Sequence, residues 1–267
     1  MSAFFGFLLA DGDLSSYVFL NLILGGILIT GSSNGFNQII EYKTDKLMSR
    51  TSNRPLPTKV LSITEALSFC IITGFLGLYL LASINSSSFI LGLLAMIIYT
   101  VIYTPLKKIT PFAVFIGAIP GSIPPLLGYV AEKENFGLEA GILFVVQFFW
   151  QFPHFWAIGW FLFDDYKKGG FFMLPTGKRD RTTAVQVIFY SVCTVLSSLI
   201  PAFGVTGDFY ITPVSAIIIG GLGIWFVYFG LKLYKQRTDA SAKALMLVSV
   251  SYITLLQIIY VADKFIR

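Results

Sequence analysis

Eight apolar runs, each close to the roughly 20 residues that an α-helix needs to cross a bilayer, constrain this chain more than any other feature. They fall near residues 14–36, 62–84, 88–104, 111–131, 139–163, 184–204, 211–231 and 242–262. Only 12% of residues are charged, about half the share in a soluble domain, roughly 25%. Mean hydropathy is +0.77. The expected fold is all-α: a polytopic membrane helical bundle over 1–267, built as one domain. A further apolar piece, Ala3 to Ala10, is too short to cross and stops at Asp11-Gly12-Asp13. It reads as the remaining part of a shortened first helix, making the nominal count nine. It has neither the basic start nor the cleavage site of a signal peptide.

The basic residues alternate from loop to loop. Lys43, Lys46, Arg50, Arg54 and Lys59 share one loop, and Lys107 and Lys108 another. Lys167, Lys168, Lys178, Arg179 and Arg181 share a third, and Lys232, Lys235, Arg237 and Lys243 a fourth. The intervening loops are nearly free of them. This pattern follows the positive-inside rule and puts the basic loops on the cytoplasmic side of a bacterial inner membrane, or less readily on the matrix side in a mitochondrion. Topology thus explains the net charge of +5, and no nucleic-acid partner is implied. Cys70 and Cys193 both fall inside spans and belong to no C-x-x-C motif. They read as small core residues.

Between the first two spans lies Asn37, Glu41, Asp45, then Arg50-Thr51-Ser52-Asn53-Arg54-Pro55-Leu56. Oxygen-bearing side chains four apart drift only about 40° per step around a helix, so all three share one face. Two carboxylates on one face suit a hard divalent cation, and Mg²⁺ often completes its shell with substrate phosphates. Glu41 and Asp45 are the candidate ligands, with Asn37 as a neutral ligand or an orienting partner. Arg50 and Arg54 suit phosphate recognition. Together they indicate a magnesium and diphosphate site at a membrane edge.

This segment resembles the first motif of the UbiA-type intramembrane prenyltransferases, N-x-x-x-D-x-x-x-D followed by R-T-x-x-R-P-L. Here Glu41 replaces the middle Asp, and Gln38 stands where many relatives that prenylate aromatic acids have Asp. Both departures match the haem-farnesylating branch, whose pattern reads N-Q-x-x-E-x-x-x-D-x-x-M-x-R-T-x-x-R-P-L. Asn37, Gln38, Glu41, Asp45, Met48, Arg50, Thr51, Arg54, Pro55 and Leu56 all fit it.

Three further blocks follow in the branch's order. Tyr103-Thr104-Pro105-Leu106-Lys107-Lys108 resembles Y-T-x-x-L-K-R, with Lys108 for the usual Arg. Gly117 to Tyr129 resembles G-A-x-P-P-L-x-G-W, with Tyr129 for the Trp, while Phe112-Ala113 stands where the branch often has Asn-Ile. Pro120, Pro124 and Pro125 predict a kinked or broken span, tolerated in a membrane inside protein or along a cavity. Trp150-Gln151-Phe152-Pro153-His154-Phe155 resembles W-Q-x-P-H-F. Asp165-Tyr166, Gly169 and Met173-Leu174-Pro175 resemble D-Y-x-x-G-x-x-M-L-P. His154 is the only histidine; it is either hydrogen-bonded to Gln151 or to backbone freed by Pro153, or it contacts a haem.

The resemblance implies farnesyl transfer from farnesyl diphosphate to a vinyl group of haem b, with water added, giving haem O and diphosphate. It implies Mg²⁺ on Asn37, Glu41, Asp45 and Asp165, with Tyr166 beside them, although the second acidic cluster is only Asp164 and Asp165. It assigns substrate contacts to Arg50, Arg54, Lys107, Lys108, Trp150, Gln151, His154, Lys178 and Arg179. Membrane lipid would surround the site, and the product would pass to a haem A synthase or a terminal oxidase. Two other readings stand beside this one: prenylation of a quinone precursor, and transport of an anionic lipid or metabolite through broken helices with basic gates.

Overall fold

A computed structural model describes all 267 residues and contains no β-strand. A short helix α1 (Ser2–Leu9) precedes α2 (Tyr17–Asp45), α3 (Ile63–Ala82) and α4 (Ser86–Ile97). Six π-helical residues, Ile98–Tyr103, lead from α4 into a last turn, α5 (Thr104–Leu106). Then come α6 (Ala113–Lys133), α7 (Leu138–Phe161), the short α8 (Phe163–Lys168), α9 (Arg181–Leu199), α10 (Pro213–Gln236) and α11 (Asp239–Ile266). Counting α4 through α5 as one span, eight helices are long and apolar enough to cross a membrane. Each coincides with one of the eight apolar runs.

The ends of these helices follow from local chemistry. Ser62 Oγ accepts from the Glu65 N–H at 3.2 Å while the Glu65 carboxylate accepts from the Ser62 N–H at 2.9 Å, a reciprocal cap that satisfies two free donors. Asp180 caps α9 through the Thr183 N–H at 2.8 Å. α2 outlasts its apolar run by nine residues. Asn37, Glu41, Thr44 and Asp45 remain buried on its last turns, so the polar motif continues the helix and faces protein.

Neighbours in sequence pack as neighbours in space: α2 on α3, α3 on α4, α4 on α6, α6 on α7, α7 on α9, α9 on α10 and α10 on α11. α11 closes back on α7, and α1 packs on α6 and α11. α6 and α7 are the central walls, since 61% and 50% of their most apolar windows are buried against 28% for α2, α3 and α10. The three prolines do not break α6, which stays helical from Ala113 to Lys133. The expectation of a broken span is corrected to that extent. Ser122 Oγ donates back to the Ala118 carbonyl one turn earlier, at 2.6 Å. α1 lies almost backbone to backbone with α6: a Cβ on Gly6 would collide with the Pro125 carbonyl, and one on Gly128 with the Ala3 carbonyl.

Candidate active site

The last two turns of α2 carry the acidic motif into protein. Glu41 is 4% and Asp45 0% exposed, and burial of that depth requires charge partners. Each has one. Lys107, just past α5, places its Nζ 2.6 Å from Glu41 Oε1. Arg54 Nη1 donates to Asp45 Oδ2 at 2.9 Å. The Glu41 contact has ion-pair distance without the angles of a directed hydrogen bond, and Asp45 Oδ1 has no partner at all. Asn37 donates from its amide to Thr104 Oγ1 at 3.1 Å. Thr104 in turn donates to the Tyr99 carbonyl at 2.8 Å, across the π-wound turn.

Lys107 lies 5.0 Å from the Tyr103 ring centroid and 5.3 Å from that of Phe171. Burial pushes its ammonium below the ordinary lysine range, while the Glu41 carboxylate pulls the other way. Lys108 donates from its Nζ to Thr44 Oγ1 at 2.5 Å. The guanidinium of Arg50 stands 5.8 Å over the Tyr166 ring. Burial raises the Tyr166 phenol pKa, partly offset by the charge of Arg50.

Asp165 is placed elsewhere in the site. Its carboxylate accepts from the Ser49 N–H at 2.8 Å, the Ser49 hydroxyl at 2.9 Å and the Arg50 N–H at 3.2 Å. Burial works to raise its pKa, but these donors win and hold it below the usual carboxylate value. It therefore fixes the loop that presents Arg50. No three His, Cys, Asp or Glu side chains converge anywhere in the chain. Glu41, Asp45 and the Asn37 amide oxygen nonetheless suit Mg²⁺, which keeps few protein ligands and takes phosphate oxygens. The unpartnered, buried Asp45 Oδ1 is the atom that fits such an ion. Arg179 is held by Asp164 at 2.9 Å and Asp239 at 3.3 Å, and Lys178 is exposed. Neither is drawn to the acidic motif.

Beside the acidic motif, beyond Tyr99 and Tyr103, lies a cavity of about 690 Å³, lined mainly by α2, α4, the π turn, α6 and α7. Asn34, Tyr99 and Tyr103 line it, as do Gln147, Gln151 and Phe155 of α7. Asn34, one turn before Asn37, accepts from the Tyr99 hydroxyl at 3.1 Å. The side-chain amide of Gln151 donates to Ser122 Oγ at 2.8 Å and to the Ala118 carbonyl at 2.9 Å. It has room because residue 121 is glycine, whose Cβ would strike the Gln151 amide. His154 and Trp150 point another way. Their rings stack at 4.7 Å, and both reach α11: His154 Nδ1 lies 2.8 Å from Ser249 Oγ, and Trp150 Nε1 donates to the Ser249 carbonyl at 2.6 Å. Of the aromatic block, Gln151 and Phe155 line the cavity and the Trp150–His154 pair does not.

Sequence reading had not singled out Asn34, Tyr99 or Gln147. Asn34 had a legible signal, a polar residue on the motif's own helix face. Tyr99 depends on the π turn, which no periodicity announces.

Among known proteins, the model of the UbiA prenyltransferase family matches residues 1–253. A protein named protoheme IX farnesyltransferase in Flavobacterium psychrophilum is 54% identical over 251 residues, covering 94% of this chain and 84% of that relative. Among solved structures, one concerning digeranylgeranylglyceryl phosphate synthase superposes with a TM-score of 0.82 at 20% identity, covering 98% of this chain and 91% of that one. A UbiA homologue from Archaeoglobus fulgidus, bound to GPP and Mg²⁺, superposes with a TM-score of 0.64 at 19% identity over 98% and 96% of the two chains.

Proposed function

Because the chain belongs to the UbiA prenyltransferase family, we propose that it transfers a farnesyl group from farnesyl diphosphate to a vinyl group of haem b, with addition of water, to give haem O and diphosphate. The observation that carries the donor half is a pair of buried, cation-paired carboxylates beside a mostly apolar cavity, linked through Tyr103, which lines the cavity and lies 5.0 Å from Lys107 Nζ. A prenyl diphosphate has that shape: a charged head and a hydrocarbon tail. The relative's name and the Gln38–Glu41 variant of the motif support haem as the acceptor.

In this reading the tail lies in the cavity, whose volume falls within the roughly 300–1,000 Å³ of small-molecule pockets. Glu41, Asp45 and the Asn37 amide oxygen would hold Mg²⁺. When bound, that ion supplies a Lewis acid that neutralises the departing diphosphate. Arg50, Arg54, Lys107 and Lys108 add fixed positive charge where negative charge develops. The carbon–oxygen bond breaks with its electron pair on the diphosphate. Tyr99 and Tyr103, at the polar end of the cavity, offer ring faces to the allylic cation, and the apolar walls keep water from quenching it. The vinyl π bond then joins the farnesyl carbon, and the cation left beside the porphyrin takes up water and loses a proton.

Asp165 acts by holding the Ser49–Arg50 loop, and Gln151 and Phe155 meet the substrates from α7. The whole chain, 1–267, works as one domain in a bacterial cell membrane with the motif loops on the cytoplasmic side. Haem extracted from cells expressing the chain should gain the mass of one farnesyl group and one hydroxyl group. Prenylated quinone precursor with unmodified haem would overturn the assignment.

A further inference from the structure

The two carboxylates of the acidic motif are not free to receive a cation, because each already holds one from the chain. Glu41 pairs with Lys107 at 2.6 Å, with side chains 5% and 10% exposed. Asp45 pairs with Arg54 at 2.9 Å, with side chains 0% and 29% exposed. Two negative and two positive charges cancel, so the cluster is neutral as folded. A divalent ion arriving alone would leave a double positive charge in a place shielded from water. The alternative is to drive Lys107 and Arg54 off their carboxylates with no anion to receive them. Taking one partner away from a buried pair leaves the other as an uncompensated charge.

A diphosphate changes that balance. It brings an excess of negative charge over one divalent ion, and its oxygens match what both displaced side chains bind: the planar fork of Arg54 and the point charge of Lys107. The geometry is prepared for the exchange. Lys107 touches Glu41 without directed hydrogen-bond angles, and Asp45 keeps Oδ1 unpartnered while Arg54 occupies Oδ2. Lys107 also sits over the rings of Tyr103 and Phe171, which support a cation while its counter-charge changes.

We propose that the metal and the diphosphate enter this site only together, with Lys107 and Arg54 as place-holders that move from carboxylate to diphosphate as the pair arrives. The inference rests on the reading of a prenyl diphosphate as donor, and it makes Lys107 a gate on metal binding as well as a substrate contact. The test is equilibrium dialysis of the full chain in nanodiscs against Mn²⁺, with and without inorganic diphosphate, counting the excess metal on the protein side. Wild type should bind Mn²⁺ at least about tenfold more tightly with diphosphate present, and Mn²⁺ should tighten diphosphate by the same factor. Lys107→Met should bind Mn²⁺ alone more tightly than wild type and lose most of the enhancement. Equal affinity for Mn²⁺ with and without diphosphate in wild type would overturn the coupling and leave the donor site standing. No excess metal under either condition would remove the donor site and the inference with it. The wild-type arm decides the matter even if the variant does not fold.

Discussion

At the scale of single residues, Asp45 is fully buried with one carboxylate oxygen unpartnered. Asp45→Asn keeps the shape and removes the charge facing Arg54, whose side chain is 29% exposed. Turnover should fall by about 10²–10³-fold while the protein still inserts and is recovered; haem O measured by mass spectrometry in a membrane assay checks this. His154 carries the opposite expectation. Its imidazole is spent on Ser249 and on the Trp150 ring. His154→Ala should therefore lower the thermal midpoint in detergent but leave the absorption spectrum of added haem unchanged, and an altered Soret band would refute that. Asn37, Glu41 and Asp45 were legible because helical spacing places them together whatever surrounds the helix. Their counter-ions were not: the sequence points Arg54 to diphosphate and Lys107 to a substrate, and only the fold pairs them with Asp45 and Glu41. The role of Asp165 was likewise hidden, since its partners are backbone N–H groups more than a hundred residues away.

At the scale of elements, all eight spans were legible from apolar run length, because burial in lipid leaves little else to decide. What could not be read was how closely two helices meet. α1 seats on α6 through glycine at Gly6 and Gly128, with no side chain between the backbones. Gly128→Ala would push a methyl into the Ala3 carbonyl, and overpacking of this kind costs about 1–3 kcal/mol. The thermal midpoint in detergent should drop, and cysteine cross-linking between α1 and α6 should weaken; an unchanged midpoint would show that α1 gives way freely. Gly121 makes room in the same manner, admitting the Gln151 amide to the α6 wall. The run of prolines predicts a kink or a break because each removes a donor, and α6 stays continuous at the centre of the bundle.

At the scale of the molecule, Asp11 binds Lys133 at the end of α6 and Lys264 near the end of α11, at 3.3 and 2.7 Å. Its pKa is set by burial, which raises it, and by hydrogen bonds and charge from Lys264 and Lys133, which lower it further. The folded value thus lies below the unfolded one of about 3.9. The contribution is complete above the unfolded pKa and disappears as pH falls through the folded one. It is small, because the Asp11 side chain is 63% exposed and solvent screens exposed pairs. The midpoint gap between wild type and Asp11→Asn should be present at neutral pH and close in acid; a gap that persists there would point to packing instead. A different kind of coupling resides in residues 98–103. Wound as a π-helix, they pack more residues into each turn than an α-helix does, so the span holds slack. If they rewound as α-helix at unchanged length, everything after Tyr103 would swing by about 100° and advance by about 1.5 Å per residue taken up, carrying Lys107 off Glu41. Deleting one residue there would take up slack and leave that lysine in place. The same deletion in an ordinary span would turn its inward face toward lipid. Chain length at this turn can thus fall by one, and a scan of single-residue deletions along the spans should find its tolerant stretch here.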